Sequence, residues 1–248
     1  EISTRLVGSE MCIRDSNKEV NLTSDAYSLH RVLKTDIKKD PNVEEDEIIF
    51  GCGCFWGAEK CFWKLPGVVT TSVGYAGGEK NNPTYYEVCS GLTGHSEVVR
   101  VIWDKREIDV SDLLKMFWEC HDPTQKNRQG NDMGTQYRSA IYYKNENNIK
   151  TILASKEQYQ TELSKKNLGL IETEIKMIDS YFYAEQYHQQ YLASAGSRQY
   201  CSASPTKVKL GVFTGSNYKL EDHIWENFNW EVDKCVLRSD NNPIKNNI

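Results

Sequence analysis

Apolar positions along this chain follow two different periods. Runs rich in β-branched and aromatic residues at 47–50, 68–75, 96–104, 138–144 and 171–178 each predict a strand. Between them, apolar residues spaced three and four apart predict helices. Ser111 is expected to cap a helix whose inner face is Leu113, Leu114, Phe117 and Trp118. The clearest amphipathic pattern covers 146–166, with Ile149, Ile152, Leu153, Tyr159 and Leu163 on one stripe. The segment 54–65 ends in Pro66-Gly67, a helix-stop pair, and 183–192 reads as a short aromatic helix. A Gly/Asn/Asp-rich loop spans 121–134.

Strands and helices interleave, but their connections are too uneven for a doubly wound sheet. A two-layer α+β sandwich of ferredoxin-like type is expected. One domain is expected over 47–210, with an N-terminal extension at 1–46 and a C-terminal extension at 211–248. Within the first extension, 17–46 is polar, with a weak helical pattern (Tyr27, Leu29, Val32, Leu33) broken at Asp40-Pro41. The opening EISTRLVGSEMCIRDS fits neither period and resembles a translated adaptor, so 1–16, Cys12 included, is left out of the fold. The Asn-rich 240–248 is expected to fray.

Charge narrows the function. Thirty basic and 35 acidic side chains give a net charge of −5, which speaks against nucleic acid and anionic membranes as partners. The longest uncharged stretch, Leu65 to Gly78, is short of the ~20 residues that span a bilayer. Eight cysteines among 248 residues lie far below the ~8–10% of a short disulfide scaffold. No basic stretch leading into an apolar run opens the chain, so no secretory signal is expected. A reducing compartment, the cytoplasm, and a monomer are expected; a targeting segment ahead of Glu1 stays open.

The densest chemistry lies in Phe50-Gly51-Cys52-Gly53-Cys54-Phe55-Trp56-Gly57-Ala58-Glu59. A cysteine between a strand and a helix start meets free backbone N–H groups and the positive end of a helix dipole. Such a site is expected to lower the Cys54 pKa and favour the nucleophilic thiolate. Gly53 and Gly57 are expected to leave room for a substrate, with Phe55 and Trp56 as an apolar wall. The plain alternative, a buried structural cysteine among core aromatics, would win for a lone cysteine.

Gly53-Cys54-Phe55-Trp56-Gly57 resembles the nucleophile motif of the methionine sulfoxide reductase A family. Further segments agree in order: Gly74 to Gly78, Pro83 to Tyr85, Gly91 to Glu97, His121 to Pro123 with Gly130 to Arg138, and Ala184 to Tyr191. The resemblance covers about 48–201. It implies reduction of methionine S-sulfoxide, free or in oxidised proteins, without a cofactor or metal. A sulfoxide sulfur is electrophilic only once its oxygen is protonated or strongly hydrogen-bonded, so a thiolate, an acid and donors are needed together. The resemblance assigns Cys54 as nucleophile and Glu97 as acid, protonated if burial raises its pKa. It assigns Tyr85 and Tyr137 as donors to the oxygen, Asp132 to their hydrogen-bond network, and Phe55 and Trp56 to the substrate methyl pocket. Cys54 sulfenic acid would then condense with a second thiol, and thioredoxin would reduce the disulfide.

Cys201 is the leading resolving thiol, with Cys235 as the alternative. The glycine-rich tail common in relatives is replaced by Ser202 to Lys207. Without the motifs, Glu97 would read as a solvated strand end, Tyr85 and Tyr137 as packing residues, and Asp132 as a turn residue. His95, His121 and His188 read as structural hydrogen-bonders, and Cys52, Cys61, Cys89 and Cys120 as small buried groups. Three rivals remain: a thiol peroxidase, an inactive binding module, and a metal site using Cys52, Cys54, His95, Cys120 and His121. A Cys-x-Cys without a second close pair is not the usual zinc spacing.

Overall fold

The computed structural model describes residues 28–232 and 234–246. Its strands are β1 (Glu45–Cys52), β2 (Val68–Ala76), β3 (Ser96–Asp104), β4 (Arg128–Gln129), β5 (Asp132–Met133), β6 (Ser139–Tyr143), β7 (Glu174–Met177) and β8 (Tyr181–Tyr183). Its helices are α1 (Phe55–Trp63), α2 (Tyr85–Cys89), α3 (Val110–Cys120), α4 (Ile149–Lys165), and the single turns α5 (Asp222–Trp225) and α6 (Cys235–Arg238). Six strands form one sheet in the order β7-β6-β1-β3-β2-β8, and β4 pairs with β5 in a separate hairpin. All pairs in the main sheet are antiparallel except β6 with β7, which are joined through α4. The chain is therefore a mixed α+β fold.

The first strand shows why its apolar run is continuous. Successive side chains point to opposite faces, and both faces are covered. Phe50 stacks on Phe62 of α1 at 4.8 Å and on Phe117 of α3 at 5.1 Å. Its neighbour Ile49 packs on the far side with Ala76, Val98, Ala140 and Tyr142. Helix α1 is buried along its whole length, because the sheet lies on one side and the C-terminal segment on the other.

Through Ile244 that segment is docked rather than frayed, and 247–248 lie outside the described residues. Ser239, Asp240, Asn241 and Asn242 present carbonyls to the buried Lys60, Lys64 and Trp63 side chains, and the Ile244 N–H donates to the Lys64 carbonyl at 2.9 Å. Leu210, Phe213, Leu220, Ile224, Phe228 and Trp230 join the main core. The described residues just ahead of β1 are docked too. Arg100, buried in β3, bonds Glu47 at 2.5 Å and the Lys39 carbonyl at 3.1 Å.

Four local expectations are corrected. The helical pattern through Leu29, Val32 and Leu33 gives a turn, because His30 Nδ1 accepts the Val32 and Leu33 N–H groups and Leu29 bridges to Asp36; Tyr27 lies outside the described residues, as does 1–16. Asp109, not Ser111, caps α3, in a box closed by Asp112. On α4, Leu153 is 45% exposed, and Ser155 takes its place on the buried stripe to accept the Trp118 indole at 2.9 Å. The aromatic helix at 183–192 is replaced by β8 and two 3-10 turns, Gln186–His188 and Tyr191–Ala193. The Gln189 amide pairs with both the N–H and the carbonyl of Val73 on β2, and Gln190 adopts φ +46°, so sheet docking overrides helix propensity. Among the described residues no helix is long and apolar enough to cross a membrane.

Candidate active site

β1 delivers the chain to Gly53, whose φ of +85° turns it sharply. Cys54 follows as the N-cap of α1, buried at 6% exposure. The two flanking glycines serve other neighbours than a substrate. A Cβ on Gly53 would stand 2.5 Å from the Gln129 side chain, and one on Gly57 would stand 2.4 Å from Cys201 Sγ. They make room for the β4 strand and for the C-terminal thiol.

Glu97 enters opposite Tyr75 in the β2–β3 ladder and is 1% exposed. Its Oε2 accepts the Phe55 N–H at 3.2 Å, which sets a carboxyl group at the start of α1 beside Cys54. This reverses the expected effect on the thiol. Burial, then the charges of Glu97 and Asp132, push the Cys54 pKa well up, and the hydrogen bond from the Trp56 N–H offsets only part of that. The helix start alone does not activate this cysteine.

Tyr137 lies in the 3-10 turn after β5, buried, where burial and the nearby Glu97, Cys54 and Asp132 raise its phenol pKa. Asp132 is 5% exposed and accepts the Tyr200 hydroxyl at 2.7 Å. Burial pushes its carboxyl up, and the hydrogen bond donated by Tyr200 works the other way. Tyr85 opens α2, its N–H donating to Glu185 Oε1 at 2.9 Å, and the other Glu185 oxygen accepts the Tyr75 hydroxyl at 2.7 Å.

The aromatic wall converges on His188. Its ring lies 5.1 Å from Phe55 and 4.5 Å from Tyr85. The Trp56 indole donates to His188 Nδ1 at 3.1 Å and stacks on Tyr191 at 3.9 Å. Burial pushes His188 down to about 3, so it is neutral with its proton on Nε2. The Cys201 thiol lies over Gly57, one turn along α1 from Cys54, and burial pushes it up to about 12. Cys235 opens α6 and is pushed to about 12 as well, chiefly by burial.

A family model described as peptide methionine sulfoxide reductase matches residues 46–218. The chain belongs to this family. The reductase is 54% identical over 180 residues to the peptide methionine sulfoxide reductase MsrA of Vibrio vulnificus, covering 73% of this chain and 86% of that one. It is 53% identical to the MsrA of Salinispora arenicola, covering 74% and 84%. Among solved structures it resembles methionine sulfoxide reductase A of Corynebacterium diphtheriae (39% identity, TM-score 0.63, 78% and 99% covered). It also resembles reduced Mxr1 of Saccharomyces cerevisiae (36%, TM-score 0.61, 67% and 93% covered). It is an oxidoreductase of the peptide methionine sulfoxide reductase class.

The structure brings Cys54, Glu97, Asp132 and Tyr137 into one electrostatically coupled group, with Phe55, Trp56 and Tyr85 around His188. Sequence reasoning gave no role to Tyr200 or Glu185, and only a structural one to His188. The segment Ala184 to Tyr191 signalled importance as a whole, but nothing local ties Tyr200 to Asp132, 68 residues away.

Proposed function

We propose that the reductase converts methionine S-sulfoxide, protein-bound and free, to methionine. Cys54 attacks the sulfoxide sulfur while Glu97 protonates its oxygen. Two adjacent buried acids avoid carrying two negative charges, so Cys54 and Glu97 share one. Moving the proton from sulfur to carboxyl yields thiolate and acid at no change in net charge, which supplies both reactive forms at once. Tyr85 and Tyr137 donate to the oxygen, Asp132 holds the network through Tyr200, and Phe55 and Trp56 receive the substrate methyl.

The hydroxyl then passes from the substrate sulfur to the Cys54 sulfur as the transient bond between the two sulfurs breaks, which releases methionine and leaves a Cys54 sulfenic acid. The Cys201 thiol attacks that sulfur, a disulfide forms and water leaves; thioredoxin then reduces the disulfide through its own dithiol. Cys235 is the alternative resolving thiol. The observation that carries this reading is the Glu97 carboxyl on the Phe55 N–H at 3.2 Å, beside the Cys54 cap. The antiparallel order β6-β1-β3-β2, with α1 and α3 as the connecting helices, supports a ferredoxin-like core.

The test is turnover of the separated S and R sulfoxides of methionine with dithiothreitol. Consumption of the S epimer alone, abolished in Cys54→Ser, is expected. Turnover of the R epimer, or activity retained in the folded variant, would overturn the proposal.

A further inference from the structure

Glu59 is fully buried on α1, three residues after Trp56 and four after Phe55, so its carboxyl lies one helical turn along the same face. The reaction proposed for Cys54 and Glu97 does not use it. Three donors converge on this carboxyl. The Gln190 N–H reaches Oε2 at 2.8 Å, while the Gln190 side-chain amide and the Thr71 hydroxyl reach Oε1 at 2.7 Å and 3.0 Å. Further partners fix the direction of these bonds. His30 Nδ1 accepts the Val32 and Leu33 N–H groups, so its ring proton is on Nε2 and donates to Thr71 Oγ1 at 2.9 Å. That turns the Thr71 hydroxyl proton to Glu59. The Gln190 carbonyl oxygen accepts the Arg31 N–H at 3.2 Å, which turns the Gln190 NH₂ to Glu59. Partners that only donate suit an ionised carboxylate.

We propose that Glu59 is a positioning residue for the wall that receives the substrate methyl, holding 186–191 on α1 so that His188 and Tyr191 meet Trp56. Gln190 adopts φ +46° and ψ +44°, a left-handed conformation that a residue with a Cβ keeps only where its surroundings hold it. Its backbone N–H and its side chain are both tied to the one carboxylate, 131 residues away. The residues of the wall lie on either side of this anchor. Tyr191 follows it directly and stacks on the Trp56 indole at 3.9 Å. His188, two residues before it, accepts the Trp56 indole N–H at 3.1 Å and lies 5.1 Å from the Phe55 ring. Glu59 therefore grips the segment at its turn, and the segment grips Trp56 from two sides. The effect on the substrate rests on the proposed sulfoxide reduction; the grip of Glu59 on Gln190 does not.

Glu59→Gln keeps the shape of the side chain and replaces one acceptor by an NH₂. In either orientation that NH₂ meets a donor of Gln190, and turning the Gln190 amide over breaks its bond from Arg31. The segment should loosen and the wall widen. A pocket fitted to a methyl group discriminates against one more methylene by about 10–200-fold, so ethionine S-sulfoxide, with ethyl in place of methyl, reads the fit.

The test compares kcat/KM for the S-sulfoxides of methionine and ethionine, with dithiothreitol, at about pH 8, above the value of about 7 to which burial pushes Glu59. The wild type should prefer the methionine compound by about 10-fold or more, and Glu59→Gln should lose most of that preference. The ratio is taken within one sample, so partial unfolding cancels from it. Glu59→Gln combined with Gln190→Glu, which returns a carboxylate to the pair, should recover the preference. Hydrogen exchange is read without turnover. It should quicken by about 10-fold at 186–193 in Glu59→Gln, while β1 and β3 keep their protection. If circular dichroism shows Glu59→Gln unfolded, Gln190→Ala, which removes the side-chain amide, is read in its place. A wild type without preference, or an unchanged ratio or unchanged exchange in the folded variant, overturns the proposal. Turnover of neither sulfoxide by the wild type would sink the reductase reading instead, and exchange would still decide whether Glu59 holds the segment.

Discussion

One missing carbon at Gly57 sets where the C-terminal thiol lies. An added Cβ would stand 2.4 Å from Cys201 Sγ and 3.1 Å from Cys201 Cβ, where ordinary contact begins at 3.4 Å. Gly57→Ala must therefore displace that sulfur by about 1 Å. The helix itself gains, since alanine is favoured over glycine in a helix interior by about 1 kcal/mol, so any loss is traceable to the contact. A misplacement of about 1 Å can cost on the order of 100-fold in a positioned reaction. Disulfide closure between Cys54 and Cys201 should slow by about that factor, while the first methionine formed at Cys54 keeps its wild-type rate. Rapid-quench measurement without reductant separates the two steps: methionine reports reduction, and dimedone trapping reports the lifetime of the sulfenic acid. Cys201→Ser marks the limit at which closure through this thiol is absent. Wild-type closure in Gly57→Ala would show that the Cys201 position over Gly57 does not govern resolution. An equal fall in the first methionine would shift the effect to the Cys54 side.

Glu97→Gln should move two quantities in opposite directions. Removing a charge that pushes the Cys54 thiol up lowers its pKa, visible as ultraviolet thiolate absorbance at lower pH, while loss of the acid slows sulfoxide reduction by about 10²–10⁴-fold; an unchanged rate rules out Glu97 as the proton donor. Tyr200→Phe removes the 2.7 Å donor to buried Asp132 and should destabilise the fold by about 1–3 kcal/mol in urea unfolding; no change would mean that water replaces the phenol. The protein should also lose stability in mild acid. Burial pushes His30, His121 and His188 down to about 3, 4 and 3, so between pH 6.5 and these values the unfolded chain binds protons that the folded one refuses. At pH 5 each costs about 2 kcal/mol. Glu59, pushed up to about 7 by burial, has the opposite sign: its penalty falls as pH drops, offsetting about 2 kcal/mol. A net loss of about 4 kcal/mol between pH 7 and pH 5 is expected from denaturant midpoints, and a flat profile would contradict the buried neutral histidines.

Much of the frame was legible in the chain, because strand and helix periods are written within a few residues. β1, β2, β3 and α1 lie where the apolar runs and the Pro66-Gly67 stop put them. The motif around Cys54 pointed to the strand–helix junction for the same local reason. Tertiary structure decided whatever depends on partners distant in sequence. It opened the aromatic segment 183–192 into strand and turns, since the Gln189 amide pairs with Val73 across 116 residues. It raised the Cys54 pKa where the helix start alone would have lowered it, because burial and two carboxylates outweigh one N-terminal dipole. It also set the Cys52 and Cys120 sulfurs, from β1 and α3, within 4.8 Å of each other, which no local pattern along the chain records. Periodicity records how the backbone repeats; burial and long-range contact exist only after the chain has closed on itself.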